Sequence, residues 1–384
     1  MNFDRLIKNL FVIAFSFLVL ACSKRVNVTE VVEVKGNDVL VTHVDQITDT
    51  IDLLLSELVE SCDIVPLETN NESLISFANR VSISDHYIAV KDIEHIPVKL
   101  FSRDGKYLRE IGGIGRGPDE YNVGLYGLQI DEINENIYLF PAGRTRRILV
   151  FGLDGKARTH IPLRYLQRKF KAYIEDGIVT VLGMPLKNDT AIVFQQTIEG
   201  DLIQFITPKE YQFANDYSSE ITSSKISGSY SFFQMHPGKT PYDTLYHYNT
   251  NRNELVPKFT LEFNAEQWPV YSCLELPNHF MAYISRRGSI VIDKISKRTN
   301  YFRLINDFCG GINFQYFEIN EGMLIGKISA LDLKKEIKKC MDEIQDDKTK
   351  MKLTELNSDL SENSNDIIFF GKLKQQQLNP RNSY

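Results

Sequence analysis

Short apolar runs recur along the chain, separated by polar turns. The clearest unit covers 87–112. There Tyr87-Ile88-Ala89-Val90 precedes Val98-Lys99-Leu100-Phe101, then the pair Asp104-Gly105, then Tyr107 to Ile111. Asp-Gly between two β-rich runs predicts a tight hairpin, because glycine accepts the positive φ such a turn needs. The unit returns at 137–163, with Ile137 to Phe140, Ile148 to Phe151, and Asp154-Gly155 before a strand ending at Leu163. Weaker copies run from Ile178 through Ala191 to Ile206, from Ser231 through Thr244 to Phe263, and from Phe280 through Ser289 to Leu304. The later turns near Asn251 and Ser296 lack Asp-Gly. Third strands are predicted near residues 98, 148, 191, 244 and 289. A period of roughly 40 to 50 residues with four strands per unit predicts the blades of a propeller.

A sixth unit is split. Residues 313–319 and 323–328 read as its two inner strands, and Ile367 to Phe370 as its third. The fourth is predicted from the N-terminal side, at Cys62 to Glu68. A blade built from both chain ends pairs edges that would otherwise be exposed. The fold class is therefore all-β: a six-bladed β-propeller over 53–374, closed by an N-terminal strand in the last blade. Residues 331–360 form a helical insertion in blade six, with an imperfect apolar stripe at Leu331, Ile337, Met341, Ile344 and Met351. It reads either as a lid on the channel mouth or as a passive element on the rim.

The flanks read as an address and a spacer. Arg5 and Lys8 precede an apolar run from Leu10 to Ala21 broken only by Ser16. Such a run is too short to span a membrane and fits the core of a secretory signal. It ends in Val19-Leu20-Ala21-Cys22, which resembles a bacterial lipobox, so residues 1–21 are read as a lipoprotein signal peptide and Cys22 as the lipidation site. Ser23-Lys24-Arg25 follows, with no acidic residue beside the cysteine. By resemblance to known sorting signals, this implies an outer-membrane anchor facing the periplasm. Residues 22–52 are expected to be a polar tether, Leu54, Leu55 and Leu58 to sit on a short helical turn, and 375–384 to be a disordered tail.

Composition narrows the field. Hydrophobic residues make up 43%, charged residues 24%, and the formal net charge is −6. This excludes a disordered polymer and a collagen-like fibre, and the mild acidity argues against a general nucleic-acid binder. The excess of 18 Tyr and 23 Phe over a single Trp leans toward strands. Cys62, Cys273, Cys309 and Cys340 are widely spaced without a CxxC pair, which argues against a zinc site and leaves a disulfide open. No metal or other cofactor is expected.

Motifs for catalysis are sparse. The run Gly112-Gly113-Ile114-Gly115-Arg116-Gly117 lacks G-x-G-x-x-G spacing and reads as a crossover between blades, with Arg116 paired to Asp119 or Glu120. The seven histidines are scattered, with no H-E-x-x-H and no G-x-S-x-G. Together with Ile64 to Thr69 and Ile367 to Lys374, the run from Gly112 through Pro118-Asp119-Glu120-Tyr121 resembles the 6-bladed β-propeller lipoproteins of Bacteroides-type bacteria, distant relatives of NHL-repeat propellers. That resemblance implies the fold and a cell-envelope location.

Charge placement gives the functional expectation. Blade crossovers and the loops between second and third strands share one face of a propeller. That face is expected to collect Arg116, Arg144, Arg146, Arg147, Lys187, Lys239, Arg286 and Arg287, with Glu94, His95, His236 and Tyr242. A guanidinium is a planar fork suited to carboxylate or phosphate. The expected function is a lipid-anchored, non-enzymatic binding module for an anionic small molecule or an acidic protein partner at that mouth. The alternative, implied by the resemblance, is an NHL-like lyase or hydrolase with a site at the central channel, where His95, His236 and Asp92 could meet.

Overall fold

The computed structural model describes residues 28–93, 95–121, 124–208, 211, 220–226, 228–235, 243–265, 268–312 and 316–375. Six four-stranded antiparallel units stand around a central channel. Counted outward from the channel, blade one is Ala78–Ile83, Tyr87–Asp92, Val98–Ser102 and Tyr107–Ile111. Blade two is Leu125–Asp131, Asn136–Pro141, Thr145–Gly152 and Ile161–Gln167. Blade three is Phe170–Glu175, Ile178–Gly183, Val193–Thr197 and Leu202–Ile206. Blade four is Ile221–Ile226, Ser229–Gln234, Thr244–Asn249 and Glu254–Glu262. Blade five is Tyr271–Glu275, His279–Ile284, Gly288–Asp293 and Thr299–Ile305. In blade six, Tyr316–Asn320, Met323–Ile328 and Ile367–Lys372 are joined by Asp63–Pro66, with Ile367 opposite Pro66 and Phe370 opposite Asp63.

Burial follows position within a blade. Second strands such as Tyr87–Asp92 are buried almost throughout, because neighbouring blades cover both faces. That is why these runs are continuously apolar rather than alternating. Outer strands such as Tyr107–Ile111 are largely exposed. The core is divided into wedges, one at each junction between blades. Val81, Ile88 and Phe101 of blade one pack with Ile325, Ile368 and Phe370 of blade six. Equivalent wedges lie between blades one and two, two and three, three and four, four and five, and five and six.

The expected tether is corrected over 28–52. Thr29–Val34 and Asn37–His43 form a hairpin through Lys35 and Gly36, both at positive φ. Asn37–His43 then runs parallel to the outer strand of blade four, with Leu40 opposite Phe259. Thr50–Leu54 runs parallel to the outer strand of blade five. The segment is thus a strap that covers two blade edges and so protects them from pairing with other chains. Val39 and Val41 are buried, and Leu40 between them packs against the core shared by blades four and five. One turn of helix, α1 (Leu55–Leu58), links the strap toward the closing strand.

The insertion in blade six is two helices, α2 (Ala330–Cys340) and α3 (Asp347–Asp359). Ser329 Oγ accepts the Asp332 amide at 3.1 Å and Asp346 Oδ2 the Thr349 amide at 2.8 Å, so each start is capped. The buried stripe is Leu333, Ile337, Ile344 and Leu353, whereas Leu331 and Met351 of the expected stripe are exposed. These side chains pack with Leu55, Leu58, Cys309 and Ile312 at the junction of blades five and six. The channel cavities have no lining residue from 331–360. The insertion is a rim element, and the lid reading is set aside. Lys334 Nζ further ties α2 to the carbonyl oxygens of Asn357 and Leu360 at 2.7 and 2.9 Å. Amides of 333–340 and 351–359 are expected to exchange slowly without any ligand. Exchange complete within seconds, measured by mass spectrometry, would count against a packed rim.

Candidate functional site

The residues expected at the binding face are spread over its outer part. Arg116, Arg144, Arg146 and His95 are exposed, as are Lys187, Arg286 and Arg287. Arg147 is half-buried. Arg146 donates to the Arg164 carbonyl at 3.4 Å. Arg287 is held by the strap, at 2.6 Å from Asp45 and 5.6 Å over the Phe263 ring. None of these lines the channel cavities. Cys22, Glu94, His236, Lys239 and Tyr242 lie outside the described residues. Asp92 is buried and accepts the Ser76 amide at 2.6 Å, which makes it a structural group.

The glycine run is a crossover, stitched by its own side chains. Tyr121 Oη donates to the Ile111 carbonyl at 3.1 Å and accepts the Val98 amide at 2.7 Å. Glu120 folds back to accept the Gly117 amide at 2.8 Å, and Asp119 lies 3.5 Å from His160. The partners expected for Arg116 are therefore engaged elsewhere.

The cations that face the channel are others. A small cavity of about 50 Å³ and a larger one of about 510 Å³ share Arg80, Lys171, Ser223, Glu318 and Ile319 in their walls. Arg80 and Lys171 stand near the starts of the inner strands of blades one and three, Glu220 just before that of blade four, and Glu318 in that of blade six. All are on the crossover side of the channel. Arg80 Nε and Lys171 Nζ donate to one atom, the Tyr126 carbonyl oxygen, at 3.4 and 3.0 Å. A single neutral carbonyl fixes the two cations close together without neutralising them. Glu318 is claimed by Lys327, whose Nζ lies 2.9 Å from Oε1 and donates to the Asn79 carbonyl at 3.0 Å. Lys171 is partly accessible, but its open surface faces the cavity rather than bulk solvent. Burial, aided by the Arg80 charge, lowers its ammonium to about 8, against the pull of Glu318 and Glu220.

The opposite end of the channel is acidic. Glu321 keeps accessible surface, but enclosure by the surrounding protein raises its carboxyl to about 8, and the Glu175 and Asp131 charges add to the rise, against a 3.0 Å hydrogen bond from Ser82. Glu175 itself is held by Lys225 and Tyr230. Among the described residues the channel thus carries cations at the crossover face and carboxyl groups at the other. The sequence carried a signal for the basic end: a cation inside the first residues of an apolar inner strand, as in Asn79-Arg80-Val81 and Phe170-Lys171-Ala172. It was hidden because surface loops hold many more arginines and lysines.

The four described cysteines are thiols, and burial pushes Cys62 and Cys309 up to about 12. Among the described residues no three His, Cys, Asp or Glu side chains are placed to hold a metal ion. No described helix is long and apolar enough to cross a membrane.

No curated protein matches the chain. Among solved structures, one is a Bacteroides fragilis protein inferred to be exported. It is 18% identical, covers 87% of this chain and 99% of its own, and has a TM-score of 0.59. That likeness supports the six-bladed fold. Two computationally designed proteins, Ika8 and Ika4, are more remote, at 10% and 13% identity and TM-scores of 0.36 and 0.28. They cover 69% and 44% of this chain, and 84% and 91% of their own. A family model described as a domain of unknown function, DUF4934, matches residues 39–372, which takes in part of the strap, all six blades and the rim helices; the chain belongs to that family.

Proposed function

We propose that this propeller is an extracytoplasmic binding module that takes an anionic ligand into the basic mouth of its channel. One observation carries the reading: Arg80 and Lys171 meet at a single carbonyl oxygen beside a cavity of about 510 Å³. Cavities of that size suit small organic ligands. Among the described residues, with Glu318 claimed by Lys327, Arg80 and Lys171 are left with Glu220, a local excess of one positive charge. Arg144, Arg146 and Arg147 contribute a wider basic field that steers anions toward the mouth.

Acetate, succinate and inorganic phosphate are suitable first ligands for titration calorimetry. Binding at pH 7 is expected to weaken at least about fivefold at pH 10, because Lys171 is cationic below about 8 and neutral above it. Binding that ignores both pH and Lys171→Met would overturn the reading. Converting Arg144, Arg146 and Arg147 to Ala is expected to slow association more than it alters dissociation.

The signal sequence and the Cys22 lipobox support an outer-membrane lipoprotein facing the periplasm. Because residues from Val28 onward are held against the blades, only residues 22–27 would act as spacer. Six residues reach about 20 Å, so the anchor would keep the blade-four edge near the membrane. Cys22→Ser should release the protein from the membrane fraction; retention there would refute lipid anchoring.

A further inference from the structure

We propose that the ligand is an amphiphilic monoanion, a free carboxylate with an apolar body, lying from the channel mouth into the cleft between blades five and six. The inference rests on the channel-mouth reading above and adds the ligand's chemical class. The larger cavity is lopsided. Its channel end carries Arg80, Lys171 and Glu220. Toward blades five and six its wall is mainly Leu274, Met281, Phe302 and Phe317, with Ser272, Tyr283 and Ser289 among them. Leu274, Phe302, Phe317 and Ile319 are only half-buried and form the margin of the apolar wedge between blades five and six. Apolar surface bordering a cavity gains when a hydrocarbon body replaces water there, roughly in proportion to the area covered.

Charge and shape select together. The local excess of one positive charge suits a single carboxylate, and the Arg80 guanidinium, whose Nη1 donates to Asn79, and the Lys171 ammonium converge on Tyr126 O. A dianion would bring its second charge against Glu220 or the apolar wall. A neutral amphiphile would leave the two cations unpaired while displacing the water that solvates them. Lys171 stands inside the channel, so a headgroup still held in a bilayer would have to be withdrawn from its membrane to reach it.

The test is calorimetry of the full mature chain with decanoate, acetate and decan-1-ol at pH 7. Decanoate is expected to bind one to one, at least about tenfold tighter than either acetate or decan-1-ol. Arg80→Met and Lys171→Met should each weaken decanoate about tenfold or more, with Lys171→Arg restoring part of the loss. Leu274→Gln should weaken decanoate and leave acetate unchanged, while Leu274→Met keeps both; thermal melts establish that each variant is folded. If acetate binds as tightly as decanoate and both are lost in Lys171→Met, the channel-mouth reading stands and the amphiphile is refuted. If Arg80→Met and Lys171→Met leave decanoate untouched, both fall. Phosphatidylglycerol vesicles bound in a Lys171-dependent manner would overturn the assignment of a free ligand.

Discussion

Gly105→Ala is expected to lower stability by about 3 kcal/mol in urea unfolding at 25 °C. Two effects add. Gly105 sits at φ +91°, where a Cβ costs about 1–2 kcal/mol. That Cβ would also lie 2.2 Å from the Pro66 carbonyl oxygen and 2.9 Å from Val65 Cγ1, both in the closing strand. Neither neighbour can swing away. Pro66 contributes backbone, and Val65 pairs with Ile368 in the ladder. The adjoining contact, the Glu68 amide donating to the Gly105 carbonyl at 2.8 Å, would be disturbed as well. Overpacking of this kind costs about 1–3 kcal/mol. Gly143→Ala is the control. It has φ +84° and nothing within 4 Å of an added Cβ, so only the backbone cost applies. Equal losses in the two variants would show that contact with the closing strand adds nothing.

Glu275→Ala should cost about 3–5 kcal/mol, as removal of one partner from a buried charged network does. Glu275 ends the inner strand of blade five and is 3% exposed. Its carboxylate accepts His247 Nε2 at 2.5 Å and Lys294 Nζ at 2.6 Å. Lys294 Nζ also donates to the Leu276 carbonyl at 2.7 Å and lies 4.7 Å from the centre of the Phe280 ring. Truncation leaves that ammonium buried beside an imidazole with no counter-charge. Burial alone would raise the Glu275 carboxyl; His247 and Lys294 outweigh it and hold the group below its ordinary range. A depressed carboxylate stabilises the fold fully above its unfolded value of about 4.3. That contribution is lost as pH falls through the lower folded value. Wild type should therefore lose stability on acidification from pH 5 to 3 more steeply than Glu275→Gln. Parallel acid profiles would mean that Glu275 is not held ionised by its partners.

These two sites differ in how far the sequence disclosed them. Asp104-Gly105 announced a hairpin, and a hairpin is there. The second reason for glycine, the backbone of blade six across the junction, involves residues about forty positions away. The same holds at Gly155, where an added Cβ would lie 2.9 Å from the Glu110 carbonyl of the preceding blade. Glu275 and His247 lie on strands of two blades and Lys294 in the turn after a third strand, and no spacing rule connects them.

The candidate residues read from the sequence and those that wall the cavity are different sets. The sequence placed crossovers and second-to-third-strand loops on one face and led to the arginines and lysines of those loops. The side chains that reach the cavity, Arg80 and Lys171, are on inner strands instead. Arg116 and Arg144 lie outside the strands and are exposed, and Arg146 is exposed at the start of the third strand of blade two, where water solvates the charge well. Inner strands alone point side chains at the axis.

By itself the sequence determined the repeat, the number of blades and the closing strand, because these follow from local periodicity and turn chemistry. It did not determine that residues 29–54 strap blades four and five, since parallel pairing with Glu254–Glu262 and Thr299–Ile305 joins segments more than 200 residues apart. Nor did it determine which few of 44 basic residues converge. That choice belongs to the ring, which brings the starts of six inner strands, drawn from the whole length of the propeller, to one mouth and buries them together.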